Sequence, residues 1–272
     1  MYKSYKNKLV LALLICSAFQ AVAQKPFSVL ITFPSSADLN NISINYDDGK
    51  TLIEEKIVPG NKAVQISGFS FLKYPVLTIY NRISERQDLW EQYYLRKKSS
   101  IYFYNNNKTG NFLDSAKLIN AMNIRTMGQD AFDSFARFEI DQLKSFNLKH
   151  SYDQNESDSL QKISNTLYNN VREKKLEFIK THSSLYYSLW FFYREYASPL
   201  EYDTDTLLNI YNNFSKEYKN SFEGREIFKI LNGRANTLVN KMAPAFSAHD
   251  INGNSIILNN YRGKYVLLNF WA

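Results

Sequence analysis

The spacing of hydrophobic and polar positions divides the chain into three stretches, with a separate leader ahead of them. Residues 27–33 are rich in β-forming side chains, and Ile42, Ile44 and Tyr46 alternate with Ser43 and Asn45. Asp47-Asp48-Gly49-Lys50 follows, and an Asp-Gly pair between strand-like runs is a strong hairpin signal. Residues 51–58 return, Pro59-Gly60-Asn61 turns again, and residues 64–71, 74–80, 92–95 and 100–104 complete seven short strands. Short alternating strands at this spacing predict an antiparallel sandwich or an open barrel. Residues 106–128 carry little pattern and read as a connector.

Beyond Gln129 the period lengthens. Phe132, Phe135, Ala136, Ile140 and Leu143 recur at steps of three and four, as do Leu160, Ile163, Leu167, Val171 and Phe178. Both sets predict amphipathic helices, with the polar residues 150–158 as the loop between them. A third helix is predicted over 183–196, ending before Pro199. Asp205 can cap a short helix through Leu207, Leu208 and Tyr211. The last helix carries Ile227, Phe228, Leu231, Leu238 and Val239, with Gly233 as a weak point. The fold class is therefore α+β. An antiparallel β-sandwich-like domain (24–125) is followed by an α-helical segment (126–240) and a short C-terminal piece (241–272).

The start of the chain has its own logic. Lys3, Lys6 and Lys8 precede an apolar run of eleven residues from Leu9 to Phe19, and Ala21-Val22-Ala23 stands ahead of Gln24. This is the layout of a secretory signal peptide over residues 1–23, and the apolar run is shorter than the roughly 20 residues that a spanning helix needs. The protein is expected to be exported to the cell envelope or periplasm. Lipidation at Cys16 is disfavoured because Ile15, ahead of it, is not small.

Removing the signal changes the charge and the chemistry. The whole chain carries 33 basic and 26 acidic residues, a net +7; losing three lysines and no acid leaves 30 against 26, or +4. The remaining cations (Lys73, Arg82, Arg86, Lys97, Lys98, Lys174, Lys175) are scattered, with no stripe to mark a nucleic-acid face, so no nucleic-acid partner is expected. Cys16 is the only cysteine and leaves with the signal, so residues 24–272 offer no disulfide, thiolate or cysteine metal site. His150, His182 and His249 lie far apart without partners at ligand spacing. The aromatic cluster Trp190-Phe191-Phe192-Tyr193 has the spacing of core packing. There is no phosphate-binding glycine loop and no nucleophile elbow. No catalytic residue, cofactor-binding residue or metal ligand is assigned.

The C-terminal piece is the most specific. Ala243-Pro244-Ala245-Phe246 leads into a strand, Asn252-Gly253 makes a hairpin turn, residues 255–258 return, and Tyr261-Arg262-Gly263-Lys264 turns once more. Residues 265–271 then form a nearly continuous apolar run, the pattern of a central strand buried on both faces. Taken together these features resemble the opening of the thioredoxin-like domain in envelope thiol-disulfide oxidoreductases of the TlpA/ResA type and in the related alkyl hydroperoxide reductase/thiol-specific antioxidant group. The layout of the strands and helices ahead of it is similar to the N-terminal region of unknown function often attached to such proteins. In that family a Trp-Cys-x-x-Cys motif follows the Phe-Trp-Ala that Phe270, Trp271 and Ala272 match. Its first cysteine sits at a helix N-terminus, where partial positive charge favours thiolate, and its second resolves the mixed disulfide. Neither cysteine lies within the 272 residues, and Trp271 and Ala272 would only flank the site.

The resemblance implies that the chain is the N-terminal part of an exported thiol-disulfide oxidoreductase. The complete protein would act on a protein disulfide or a peroxide, with room for a membrane-associated electron donor; oligomeric state is left open. Leaving Val266, Leu267, Leu268, Phe270 and Trp271 in water forfeits roughly 7–15 kcal/mol, which rivals the stability of a domain. The run is thus expected either to meet strands of a longer protein or to pair with an edge of the N-terminal sheet. The rival functional reading is a non-catalytic envelope binding module with a vestigial thioredoxin-like tail.

Overall fold

The computed structural model describes residues 24–57, 62–84, 87–106, 111–150, 158–237 and 241–269. The leader 1–23, the turn Pro59-Gly60-Asn61, nearly all of the loop 150–158, Leu238, Val239 and residues 270–272 lie outside them. Both helices and strands are present, so the α+β class holds.

Seven strands form one mixed sheet: β1 (Lys25–Thr32), β2 (Ile42–Asp47), β3 (Leu52–Glu55), β4 (Ala63–Ser70), β5 (Val76–Ser84), β6 (Gln87–Tyr102) and β7 (Lys117–Asn123). The order is β3-β2-β5-β6-β1-β4, with β7 also paired to β6. The predicted hairpin between β2 and β3 is present. Its turn is held by aspartate side chains: Gly49 N–H donates to Asp47 at 2.7 Å, and the N–H groups of Lys50 and Thr51 donate to Asp48, each at 2.7 Å.

Two expectations are corrected. The segments 92–95 and 100–104 are not separate strands: 92–95 and 100–102 both belong to the sixteen-residue β6, and the seventh strand lies at 117–123, inside the supposed connector. Of the two architectures expected, the sheet is barrel-like and not a sandwich, and it is mixed, not wholly antiparallel. β1 runs parallel to β6, with Ser28 to Thr32 opposite Lys98 to Tyr102, and the sheet curls almost into a barrel.

The cause lies in β6. Between Leu95 and Ser100 it bulges, so that four residues stand opposite the single residue Asn120 of β7, which takes a left-handed backbone with φ 53°. The hydroxyl of Ser99 ties the bulge shut. It accepts the Arg96 N–H at 3.0 Å and donates to the Asn120 carbonyl at 2.7 Å. Bulges bend and twist a strand. β7 follows one edge of β6 on both sides of the bulge, so the opposite edge is divided: β5 pairs as far as Tyr94 and β1 takes over from Lys98.

The two-residue period decides which core each side chain joins. Phe27, Val29, Ile31, Ile44, Ile66, Leu77, Ile79, Tyr93, Leu95 and Ile101 point inward and fill the curled sheet. Val76 and Tyr94, next in sequence to Leu77, Tyr93 and Leu95 and paired with each other, point outward, where they join Leu72 in a second core covered by helices.

Those helices are α1 (Asp130–Phe135), α2 (Arg137–His150), α3 (Asp158–Thr181), α4 (Tyr186–Phe191), α5 (Thr204–Asn212), α6 (Lys216–Lys219) and α7 (Phe222–Asn236), with π-helical turns at Arg125–Gln129 and Phe192–Tyr196. The predicted period over 132–143 is interrupted at Ala136, where the backbone kinks between α1 and α2. The period over 160–178 matches α3 throughout. Gly128, at φ 146°, lets the first π turn close on the next layer, since a Cβ there would stand 2.7 Å from Tyr187 Cβ. Asp203, not Asp205, caps α5: its carboxylate accepts the Thr206 N–H at 2.8 Å, one residue before the helix begins. Phe178 sits at the centre of the second core, with rings of Phe132, Phe135 and Tyr187 within 5.5–5.9 Å.

Residues 241–269 behave differently. β8 (Ser247–His249) and β9 (Ser255–Ile257) form the predicted hairpin, turned at Gly253 with φ 82°. No residue of this segment is buried. The expected buried central strand is absent from its described part: residues 265–269 have no regular structure, and Leu267 is 93% exposed. They do not pair with the seven-stranded sheet either. With no neighbouring strand to take their backbone hydrogen bonds, these residues cannot become a sheet interior.

Candidate functional site

The residues that the sequence brings forward as chemistry do not converge. His182 stacks on Phe178 at 4.0 Å, and its Nδ1 lies 3.1 Å from the Phe178 carbonyl, so it acts as a packing residue at the end of α3. His150 closes α2 with its ring 4.7 Å from that of Phe146, and His249 is exposed on β8. Trp190 and Phe192 are buried, and Tyr94 meets the Trp190 ring edge-on at 5.8 Å. Among the described residues no cluster of His, Cys, Asp and Glu could hold a metal ion, and no helix is long and apolar enough to cross a membrane.

Two features stand out instead. The first is the C-terminal segment. Asp250 organises its turn, accepting the N–H groups of Asn252 and Asn254, each at 2.8 Å, with the Asn254 amide at 2.9 Å. These bonds hold the Asp250 carboxyl below its usual value, the Asn254 side chain contributing most. Behind the turn, Ile256 and Leu258 are half-buried, while Phe246, Tyr261, Val266 and Leu268 stay exposed. The local fold is in place but one apolar face lacks a cover.

The second feature is where the sheet meets the helices. Ser221 caps α7, its hydroxyl accepting the Gly224 N–H at 3.2 Å. This places Glu223 in the first helical turn, fully buried. Its Oε1 accepts the Lys73 backbone N–H at 2.8 Å and the Tyr186 hydroxyl at 2.7 Å, while Oε2 has no hydrogen-bond partner among the described residues. Burial, and then the Glu223 charge, push the Tyr186 phenol well above its ordinary value. Lys73 also forms an ion pair with Glu217, and Tyr74 meets Tyr186 edge-on at 4.7 Å. The loop 71–75 is thereby locked to the helical layer. It forms one wall of a cleft of about 360 Å³ whose other walls are the start of β1 and the β6 bulge.

Sequence reasoning missed this junction. A glutamate two residues after a capping serine reads as an ordinary helix start, and only its place between Phe222 and Ile227, both buried, hints that it turns inward. Compared with protein-family models, curated proteins and solved structures, the chain gives no match.

Proposed function

We propose that this chain is the N-terminal part of an exported thioredoxin-like thiol-disulfide oxidoreductase, in which residues 24–237 form a folded accessory module and residues 243–272 open the redox domain. The observation that carries this reading is the C-terminal hairpin. It has the order of turns and strands with which such domains begin, and its apolar residues from Val266 to Leu268 are left uncovered. Exposed apolar surface of this kind marks a place where further protein belongs. The reactive dithiol would lie on that further protein, so the 272-residue chain by itself should not reduce a disulfide such as insulin's, nor a peroxide. The test is to read the coding frame past Ala272. A Trp-Cys-x-x-Cys motif within a few codons, and dithiol-dependent insulin reduction by the extended protein, is the expected result. A stop codon at that point would overturn the proposal.

Export is part of the same reading: expressed with its leader, the protein should be recovered with an N-terminus at or near Gln24, as mass spectrometry would show. A second reading, a non-catalytic binding module with a vestigial tail, is favoured by one observation. The two cores of residues 24–237 lie on the two faces of one sheet and use no residue of the tail. On that reading residues 24–240 unfold cooperatively on their own, and a non-cooperative circular dichroism transition would remove it.

A further inference from the structure

The cleft beside the β6 bulge joins features that the thioredoxin-like reading does not use. It exists because β1 and β5 divide one edge of β6: β5 pairs only as far as Tyr94, β1 pairs from Lys98 onward, and on that edge Leu95, Arg96 and Lys97 have no strand beside them. The loop 71–75 crosses this gap without filling it, its Pro75 carbonyl accepting the Leu95 N–H at 2.9 Å. The floor is apolar: exposed Pro26 and half-buried Tyr74 line it, with Phe27, Leu72, Pro75 and Leu95 packed directly beneath.

The rim is cationic. Lys25 comes from the start of β1, Lys73 from the crossing loop, and Arg96 and Lys97 from the bulge. Glu217 pairs with Lys73 and also feels the charge of Lys25, whereas Arg96 and Lys97 are exposed and have no ion pair among the described residues. These four cations are spread over some seventy residues of sequence and meet only because the sheet curls. Their shared field over a low-dielectric floor concentrates anions. Arginine and lysine are suited to carboxylate and phosphate oxygens. The volume lies within the range of small-molecule sites, which combine an apolar lining with a few placed polar groups.

We propose that this cleft binds an amphipathic organic anion, with a short acyl or aryl body against Pro26 and Tyr74 and a carboxylate or phosphate head held by Arg96, Lys97 and Lys25. The proposal stands whether or not the thioredoxin-like reading holds.

Isothermal titration of the purified full chain with octanoate, octyl phosphate, octanol and inorganic phosphate tests it. At least one of the two amphipathic anions should bind with 1:1 stoichiometry at about 1 mM or tighter. Octanol and inorganic phosphate, each lacking half of the recognition, should bind at least about tenfold more weakly. The tighter of the two anions identifies the head group. The R96E/K97E variant should lose at least about tenfold in affinity, R96Q/K97Q should lose less, and added salt should weaken binding of the anion. The exposed pair Lys144 and Lys149 on α2 serves as a control, and K144E/K149E should leave affinity unchanged. The proposal is overturned by failure of both anions to bind, by octanol matching octanoate, by unaltered affinity in R96Q/K97Q, or by an equal loss in the α2 control.

Discussion

Residues 24–237 and 241–269 are both well supplied with apolar side chains, yet one region hides them and the other does not. In the first, a curled sheet offers two faces, each with a partner: the inward face closes on itself, and the outward face around Val76 and Tyr94 receives the helices. In the second, two strands of three residues each make a hairpin that no described residue covers. A lone two-stranded hairpin is marginal in water, because a sheet stabilises itself by burying a face and not by its turn. The contrast teaches that turn chemistry is local and burial is not. Asp250 shapes its turn correctly without any core beneath it, whereas Leu267 cannot be buried by its own neighbours.

The largest test of the contrast is alkaline titration. Burial is the leading cause that raises Tyr93, Tyr94, Tyr186, Tyr187 and Tyr196 above the ordinary phenol value of 10.0. The folded state therefore favours the neutral phenol. This contribution to stability is complete below pH 10 and is lost as pH rises toward the elevated folded values. Phenolate absorbance should show a late, cooperative step that coincides with loss of the circular dichroism signal. Ionisation of every tyrosine in a single step around pH 10, with the fold intact, would mean that the body is not packed as described.

Next in size is removal of a central ring. Phe178 is fully buried among Phe132, Phe135, Tyr187 and His182, so Phe178→Ala should cost about 3–5 kcal/mol in urea unfolding. Smaller is the junction of sheet and helices. Glu223→Ala strips the acceptor from the Lys73 N–H and the Tyr186 hydroxyl and should cost about 1–3 kcal/mol. Glu223→Gln, which keeps an acceptor oxygen, should cost less. Equal losses would show that charge matters at the junction more than the two hydrogen bonds.

How far the sequence foretold this molecule obeys the same division between local and distant causes. The helix α3 was legible because its apolar stripe is unbroken from Leu160 to Phe178, and the β2–β3 hairpin because Asp48-Gly49 sets its turn locally. β6 was split by the polar run Arg96-Lys97-Lys98-Ser99, which reads as a loop but is a bulge tied by the Ser99 hydroxyl. β7 escaped because its exposure does not alternate along Lys117–Asn123. The parallel pairing of β1 with β6 joins residues about seventy positions apart, which no local pattern can signal. The same distance conceals the cleft: Lys25, Lys73 and Arg96 look like ordinary surface charges until the sheet curl brings them to one rim.

The smallest expected effect on stability is the one that isolates the tail. Leu267 and Leu268 are 93% and 47% exposed, so replacing both with lysine removes almost no buried surface. The unfolding midpoint of the body should stay within about 0.5 kcal/mol of the parent value. Self-association should change much more, because exposed apolar residues with free backbone groups invite pairing between chains, and charge is a common way of preventing it. Sedimentation velocity over a range of concentrations should show the parent chain associating and the double-lysine variant remaining smaller. A marked loss of stability in the variant would instead mean that the run leans on the body. Hydrophobic cover would then be coming from within the chain, and the proposal that these residues await further strands would lose its main support.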